Sequence, residues 1–445
     1  MRLGRRQGPR PRATPARDHQ LGPGRDEPGL THLSPFPQHD PLPTRRTGVL
    51  HLLPDLRIGG GQTIVLQHLQ HADRTRFEVG VCHLLAEDEC SGAFRDAGAD
   101  PVCLDHQPGR EVRTLRRLVG LLRRCDVDLL HVHSGLDRKL GQLAALLTGT
   151  PVVCHLHASW VHFGPRVPSR DTPLQRLRAR AFGRLRDEVE RRTVQRYVAA
   201  SREVHDLYAP LLPGRVSLVR QGVAVDTFAA VGKGAESRRL RADLGLHDAE
   251  PVLVNVSRLA PGKGHDALVA MLAALTRTWP RATLLLVGDG ERRRQVEALV
   301  ASNDLQQRVR FLGSRLDVPS LLALADVFVF ASESEGFGLA VLEAMAAGKP
   351  IVAFRVPTLE EFVEHGKTGI LVDPLDLAGF TAAVEGLLTA RDQASALGQS
   401  ARRAVAERFP PTALARSLEE VYDEILGPLG GRSAGAPSEP VRNPA

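Results

Sequence analysis

Residues 326–354 spell out a complete β-α-β unit. The run DVFVF (residues 326–330) is short, rich in Val and Phe, and does not alternate, as a strand buried on both faces requires. Residues 332–338 form a glycine-containing loop. Leu339, Leu342, Met345 and Ala346 then recur at helical spacing, Gly348 is placed to end that helix in a left-handed cap, and residues 351–354 make a second buried strand. A parallel strand pair joined by a helix belongs in a sheet covered on both faces, so its neighbours must also be helices and strands in alternation. The chain supplies them from about residue 47 to residue 426, in two halves. The expected fold class is α/β, with two Rossmann-like doubly wound parallel-sheet domains facing a central cleft.

The polar residues of this unit limit its ligand. Glu335 lies in the loop and Glu343 eight residues on, about two helical turns away. Gly336 and Gly338 remove Cβ atoms where a ligand could approach the backbone, and the first-turn N–H groups after Gly338 favour an anion. Carboxylates beside an anion site suit sugar or ribose hydroxyls better than phosphate. The plainer alternative is a Rossmann-type turn with one loop Glu and one solvated Glu. Upstream, VLVNVSRLAPGKGHD (residues 252–266) ends a buried strand in Arg258 and Lys263, beside Gly262 and Gly264 and just before a helix. Two cations, glycines and a helix start can clamp a diphosphate; a lone surface Arg and Lys is the alternative.

The first half repeats the pattern less sharply. GVLHLL (residues 48–53) reads as a strand running into Gly59, Gly60 and Gly61 and then a helix over residues 63–69. That geometry makes room for a phosphate or a sugar, or is an unliganded tight turn. Two later strands end in His131 and His133, and in His155 and His157. Three readings stand beside each other: a zinc site, satisfied core histidines, or groups near a bound sugar. Asp126-Val127-Asp128 precedes its strand, at the wrong end of the sheet for a metal site.

The segment from Glu335-Gly336-Phe337-Gly338 through Glu343 resembles the donor-binding signature of the family 4 retaining glycosyltransferases, which have the GT-B fold. Arg258 through Lys263-Gly264 is similar to that family's diphosphate loop, with Ser257 in place of the commoner Gly. Gly59-Gly60-Gly61 is similar to its first-strand glycine loop, with Gln62-Thr63 where Glu-Arg is usual. Residues 128–133 and His155-Leu156-His157 resemble two of its strand ends, Ala158 standing in a Gly place. Residues 219–228 resemble its link between domains, Gln221 replacing Asn and the Asp displaced to Asp226. Residues 309–313 resemble its base-contacting turn.

The resemblance implies the following assignments. The donor would be a nucleotide diphosphate sugar held by Gly60, Gly61, Arg258, Lys263, Leu312, Glu335, Gly336, Phe337, Gly338, Leu339 and Glu343. Glu335 would contact the transferred sugar and Glu343 the ribose. Arg258 and Lys263 would hold the diphosphate, with no cofactor and no metal. His157, and beside it His133, would lie near the sugar and the acceptor, and His157, Glu335, Arg258 and Lys263 would carry catalysis. The expected activity is retaining transfer of a sugar to a lipid, glycan or small-molecule acceptor. A GT-B nucleotide-sugar epimerase and a non-catalytic nucleotide-sugar-binding protein are the alternatives. The implied division is an Arg/Pro-rich disordered tail (1–46), an N-terminal acceptor domain (47–221), a linker (222–250), a nucleotide-sugar-binding domain (251–409), a helix crossing back (410–427) and a disordered tail (428–445).

Charge narrows the partners. Residues 1–46 carry nine Arg against four acids, which accounts for most of the net charge of +7. The body is left close to neutral, which argues against nucleic acid. Residues 1–46 also lack the apolar core of a secretory signal, and the first strand begins only near Thr47, which leaves a downstream start open. Residues 166–196 are the most basic ordered stretch and carry an apolar stripe. They read as a solvated helix face, or as a surface that docks to an anionic membrane or to an acidic acceptor. The five Cys are odd in number and show no metal-ligand spacing, as in a reducing compartment. No apolar run approaches the ~20 residues of a membrane span, so a cytoplasmic protein, at most peripheral on the inner membrane face, is expected.

Overall fold

The computed structural model describes residues 34–36, 45–133, 135–157, 187–229, 234–247 and 250–427. Two parallel sheets organise them. The first holds β1 (Thr47–Leu53), β2 (Phe77–His83), β3 (Val102–Cys103), β4 (Leu129–Val132), β5 (Val152–Leu156), β6 (Val194–Ala199) and β7 (Val216–Leu218), in the order β3-β2-β1-β4-β5-β6-β7. The second holds β8 (Val252–Val256), β9 (Thr283–Val287), β10 (Val309–Gly313), β11 (Val327–Phe330), β12 (Ile351–Phe354) and β13 (Ile370–Val372), in the order β10-β9-β8-β11-β12-β13. Every strand pair is parallel. The strands are buried on both faces, which is why their sequences are continuous apolar runs. This is the GT-B arrangement of two Rossmann-like sheets flanking a cleft.

Strand order reverses between β1 and β4 in the first sheet, and between β8 and β11 in the second. A doubly wound sheet opens a crevice at such a point, beyond the carboxyl ends of the two strands. Those four ends are where the glycine loop, His133, Arg258 and the Glu335 loop lie. Topology therefore brings together residues from widely separated parts of the chain.

The unit read over residues 326–354 forms as expected. The helix Leu339–Ala346 starts at Gly338 and ends at Gly348, which is left-handed (φ 66°) and donates its N–H to the Met345 carbonyl at 2.9 Å. In the first half the helix begins earlier than its sequence periodicity suggests. It spans Gly60–His71, so the backbone N–H groups of Gly60 and Gly61 belong to its first turn. The final helix, Pro411–Leu426, places Pro411 in its first turn, where the missing N–H costs nothing. Its Leu414, Leu418, Val421 and Tyr422 share a core with Val49 and Leu53 of β1 and with Ile64, Val65 and Leu69 of the Gly60–His71 helix. The chain crosses between the sheets at two adjoining points. The Val223 N–H donates to the Phe409 carbonyl at 2.9 Å, and a Cβ on Gly222 would lie 2.5 Å from the Pro410 carbonyl oxygen.

The expectation of disorder throughout residues 1–46 misses a contact. Phe36 is buried against Gly80 and Gly48, where a glycine at each position leaves room for its ring. Arg45 pairs with Asp126 and Asp128, and Arg46 with Glu78. Asp128 also accepts the Gly48 N–H at 2.9 Å, so it braces the amino ends of β1 and β4. The rest of the first 44 residues, residues 166–186 of the basic stretch, Ala158 and the tail from 428 lie outside the described residues. Of the arginines that are described there, Arg191 and Arg192 pair with Glu188, and Arg196 with Glu424. All five cysteines are free thiols.

Candidate active site

In the second sheet the polar groups are carried on loops tied to each other. Asn255, near the end of β8, donates from Nδ2 to the Val329 carbonyl of β11 at 2.9 Å. The Ser257 hydroxyl donates to Asn255 Oδ1 at 2.7 Å and lies 3.1 Å from His265 Nε2. The Gly262 carbonyl accepts from the Glu333 N–H at 2.9 Å and from the Ser332 hydroxyl at 3.3 Å. Gly264 is left-handed (φ 67°), and a Cβ there would overlap the Ala331 carbonyl. This packing holds the Arg258–Lys263 loop against the Glu335 loop. Sequence reasoning found the two loops but not Asn255, His265 or Ser332, the groups that fasten them.

The result is one direct ion pair. Lys263 Nζ lies 2.6 Å from Glu335 Oε1, with the two side chains 22% and 12% exposed. The Glu335 carbonyl accepts the Thr358 hydroxyl at 3.0 Å, which fixes the loop from behind. Arg258 is exposed and makes no ion pair among the described residues. Phe337 turns inward and stacks on Phe362 at 5.3 Å, so it anchors the loop. Gly338 caps the helix at φ 88°, where a Cβ would lie 2.5 Å from Leu359 Cδ2. Gly336 and Leu339 are half-buried beside it. Leu312, in the edge strand β10, is half-buried against the same core.

Glu343 has no side-chain hydrogen-bond partner among the described residues. Desolvation pushes its carboxyl up to about 7. A carboxyl kept short of partners in the helix that lines the cleft is poised to accept hydroxyl protons from a ligand.

In the first sheet the polar groups are imidazole rings on strands. Side chains two apart on a strand share a face. His131 and His133 therefore face the same way, as do His155 and His157. His51 is the register partner of His131, and Val153, two residues before His155, is another. The shared face lies under the Gly60–His71 helix and the final helix; along β1, β4 and β5 it runs from Val49, Leu129 and Val153 to histidines at the carboxyl ends. His157 ends the row, with Nε2 and Cε1 3.9 Å from where a Cβ on Gly61 would stand; nothing lies within 4 Å of that position on Gly60. The structure thus joins Gly61 to His157, and His157 to His133, whose Nδ1 lies 3.2 Å from His157 Nε2. Asp137 fixes the turn after β4 by accepting the His133 backbone N–H at 2.6 Å.

His131 and His155 are core residues, as one reading held. Two residues went unnoticed in the sequence. His51 hides inside GVLHLL, and His68 sits on the buried side of the Gly60–His71 helix. The zinc reading is tested by ring geometry. Nitrogens of His133, His155 and His157 lie within 4.8 Å of one another, as do those of His51, His131 and His133. Rings within the two groups are tilted by 8° for His155 on His157 and by up to 37° for His51 on His133, and either group offers three nitrogens close enough to share one ion.

Comparison with known proteins agrees with the fold. Residues 58–227 match the family model described as Glycosyltransferase Family 4, and residues 236–404 match Glycosyl transferases group 1. The D-inositol 3-phosphate glycosyltransferase of Thermobispora bispora is 33% identical over 67% of this chain and 71% of its own length. The N-acetyl-alpha-D-glucosaminyl L-malate synthase of Bacillus anthracis is 28% identical over 75% of this chain and 84% of its own length. Among solved structures, Anabaena Alr3699/HepE in complex with UDP-glucose superposes with a TM-score of 0.71 at 22% identity, covering 85% of this chain and 100% of that one.

Proposed function

We propose, from the premise that this chain belongs to the family 4 glycosyltransferases of GT-B fold, that it transfers a sugar with retention and without a metal. That it is a glycosyltransferase using a nucleotide diphosphate sugar follows from family and fold together. The finer reading rests on one observation: the Lys263–Glu335 pair at the switch point of the second sheet, flanked by Arg258 and Glu343.

Breaking the anomeric carbon–oxygen bond puts positive charge on the sugar and negative charge on the departing diphosphate. Lys263 is neutralised by Glu335 when no donor is present. Separating a pair of this exposure costs on the order of 1 to 3 kcal/mol. The donor offsets that cost by giving each partner a new contact: a diphosphate oxygen for Lys263, sugar hydroxyls for Glu335. Arg258 and the helix start after Gly338 add to the stabilisation of the leaving charge. Glu343 accepts from the ribose. Leu312 borders the base, and Gly60 and Gly61 leave room for the donor on the opposite wall. His157 meets the sugar or the acceptor, and His133 supports it.

With no side chain among the described residues assigned as a covalent nucleophile, the acceptor attacks from the leaving-group side. Its hydroxyl proton passes to a diphosphate oxygen as the new bond to the anomeric carbon forms and the old one breaks. The domain limits 47–221 and 251–409 assign the first half to the acceptor and the second to the donor, and closure of the two would keep water out. A cytoplasmic location, at most peripheral at a membrane, is part of the same reading; among the described residues no helix is long and apolar enough to cross one.

UDP-glucose, bound in the Anabaena protein, is the first donor to test, and small polar acceptors such as L-malate and an inositol phosphate are the first acceptors. Calorimetry of UDP-glucose, UDP-N-acetylglucosamine, GDP- and ADP-sugars with EDTA present should show heat for at least one. Mass spectrometry should then find glycosylated acceptor, and NMR an α-linkage from an α-donor. Heat only after a divalent ion is added, or conversion of donor alone, would overturn the reading.

A further inference from the structure

The two halves of the molecule also meet behind the Glu335 loop. Ala200, just past β6, is buried in a core of the second half that includes Phe337, Leu359 and Phe362. The helix Arg202–Tyr208 follows. The backbone N–H groups of Arg202 and Glu203 donate to Glu361 Oε1 at 2.6 and 3.2 Å, and Arg220 Nε stands 3.8 Å from Glu361 Oε2. One side-chain contact reaches further in. Thr358, fully buried in the short helix Pro357–Glu360, turns its hydroxyl to the Glu203 carboxylate on one side and to the Glu335 carbonyl, 3.0 Å away, on the other.

A hydroxyl has one proton to donate, so these two acceptors share it. What one takes the other loses, and a carboxylate draws harder than a carbonyl. Glu203 belongs to the first half and Glu335 to the second, so one oxygen atom links the first half to the loop assigned to the transferred sugar. With Glu203 seated, as here, the Glu335 carbonyl keeps the lesser share of the bond; with Glu203 withdrawn, it has the whole. The loop is pinned on either side of that point. The Glu333 N–H and the Ser332 hydroxyl donate to the Gly262 carbonyl, and Phe337 stacks on Phe362. Its middle carries Glu335, which is paired with Lys263 at 2.6 Å and must turn to the sugar when a diphosphate draws Lys263 away.

We propose that Glu203 and Thr358 are positioning residues for the sugar transfer: when the halves close, Glu203 draws the Thr358 hydroxyl off the Glu335 carbonyl and frees that loop to bring its carboxylate to the sugar. The contact with the sugar rests on the function proposed above; the link between Glu203 and the loop does not. Glu361 has a different task. It accepts backbone N–H groups of the first half whatever side chain residue 203 carries, so replacing that side chain leaves the halves joined. Such a link puts the grip on the sugar last. The nucleotide end of the donor can bind first, and the sugar is held only once the acceptor side has arrived, which limits hydrolysis of the donor.

The test uses the full chain, first without ligand. In Glu203→Ala the Glu335 carbonyl regains the whole hydrogen bond, so hydrogen–deuterium exchange over residues 333–338 should slow by about three- to ten-fold. Thr358→Val keeps a β-branched side chain without the hydroxyl, and exchange there should quicken. Adding Glu203→Ala to Thr358→Val should change nothing further, because Glu203 acts through Thr358. With ligand, calorimetry compares UDP-glucose, or another sugar nucleotide that proves to be the donor, with its bare nucleotide. Glu203→Ala should weaken the sugar nucleotide by about three- to ten-fold and the bare nucleotide by less than about two-fold, with kcat falling as the former does. Unchanged or faster exchange over 333–338 in Glu203→Ala overturns the proposal. So does an effect of Glu203→Ala that is as large in the Thr358→Val protein as in the wild type, since Glu203 would then only brace the contact between the halves. Equal weakening of the sugar nucleotide and the bare nucleotide overturns it too. If no sugar nucleotide binds, the function proposed above fails, while exchange still decides the link; if Thr358→Val does not fold, Glu203→Ala alone decides it.

Discussion

Where β8 and β11 end, the polar groups are ionic, partly exposed and held on loops. Where β1, β4 and β5 end, they are neutral rings, mostly buried and mounted directly on strands. Both sets occupy the switch point of a doubly wound sheet. The difference follows from what each wall is proposed to meet. A diphosphate brings negative charge and needs cations that can move onto it. A sugar or an acceptor hydroxyl brings no charge and is best met by a donor of fixed direction. Ionic groups tolerate exposure, and their sites can be built from mobile loops. A neutral donor is useful only if its proton cannot wander, so its site is buried and rigid.

The comparison is tested hardest by removing charge. Lys263→Ala should lower kcat/KM by about 10² to 10³-fold, the usual loss for one group that stabilises developing negative charge. His157→Phe, on the neutral wall, should cost less, about ten- to a hundred-fold. If the two substitutions cost the same, the walls do not divide the work as argued.

Gly338→Ala tests whether the charged wall also depends on backbone shape. The left-handed φ of 88° and the close Leu359 methyl together should cost about 1 to 3 kcal/mol of stability, read by chemical denaturation. Donor affinity should fall with it, because the helix start must shift. Unchanged affinity would show that the first-turn N–H groups do not reach the ligand.

Glu343 gives a finer test. Its carboxyl titrates near 7 in the free protein, raised by desolvation. For folding, the raised value means that the stability linked to this group is greatest below its unfolded value and is lost as the pH rises through about 7. For binding, ribose hydroxyls favour the ionised form. The donor should therefore bind more tightly at pH 8 than at pH 6 and release a fraction of a proton at pH 7. Calorimetry in two buffers of different ionisation enthalpy measures that release, and Glu343→Gln should abolish it. The buried rings of His133 and His155 should contribute none, since burial holds both well below the usual imidazole range.

The contrast also accounts for what could be read from the sequence. The charged wall is written in two contiguous stretches, with cations, acids and glycines at short spacings, so its residues and the β-α-β units carrying them were legible. The Lys263–Glu335 contact was not, because it depends on how two loops 72 residues apart pack through Ser332 and Gly262. The neutral wall is dispersed. His131, His133, His155 and His157 stood out because His-x-His at a strand end is unusual. His51 was missed inside an apolar strand and His68 inside a helix, since neither element's periodicity reports what lies opposite it. One signal was available: a lone imidazole in an otherwise apolar buried strand needs a partner, and β1 and β4 must pair if the sheet is doubly wound.

The smallest expected effect on rate comes from the buried rings behind His157: His51, His133 and His157 form one row of contacts, and Tyr422, His131 and His155 form another. Tyr422, on the final helix, reaches across the core to His131 Nδ1 at 2.7 Å. Tyr422→Phe removes the hydroxyl and leaves the ring, so packing against Phe77 and His68 is kept. The cost should be about 1 to 3 kcal/mol of stability, because one buried ring N–H is left unpaired whichever way the His131–His155 link points. Since that row does not hold His157 by a hydrogen bond, kcat should be unchanged. A rate loss in Tyr422→Phe as large as in His157→Phe would mean that the stacked rings behind His157 act with it as one unit.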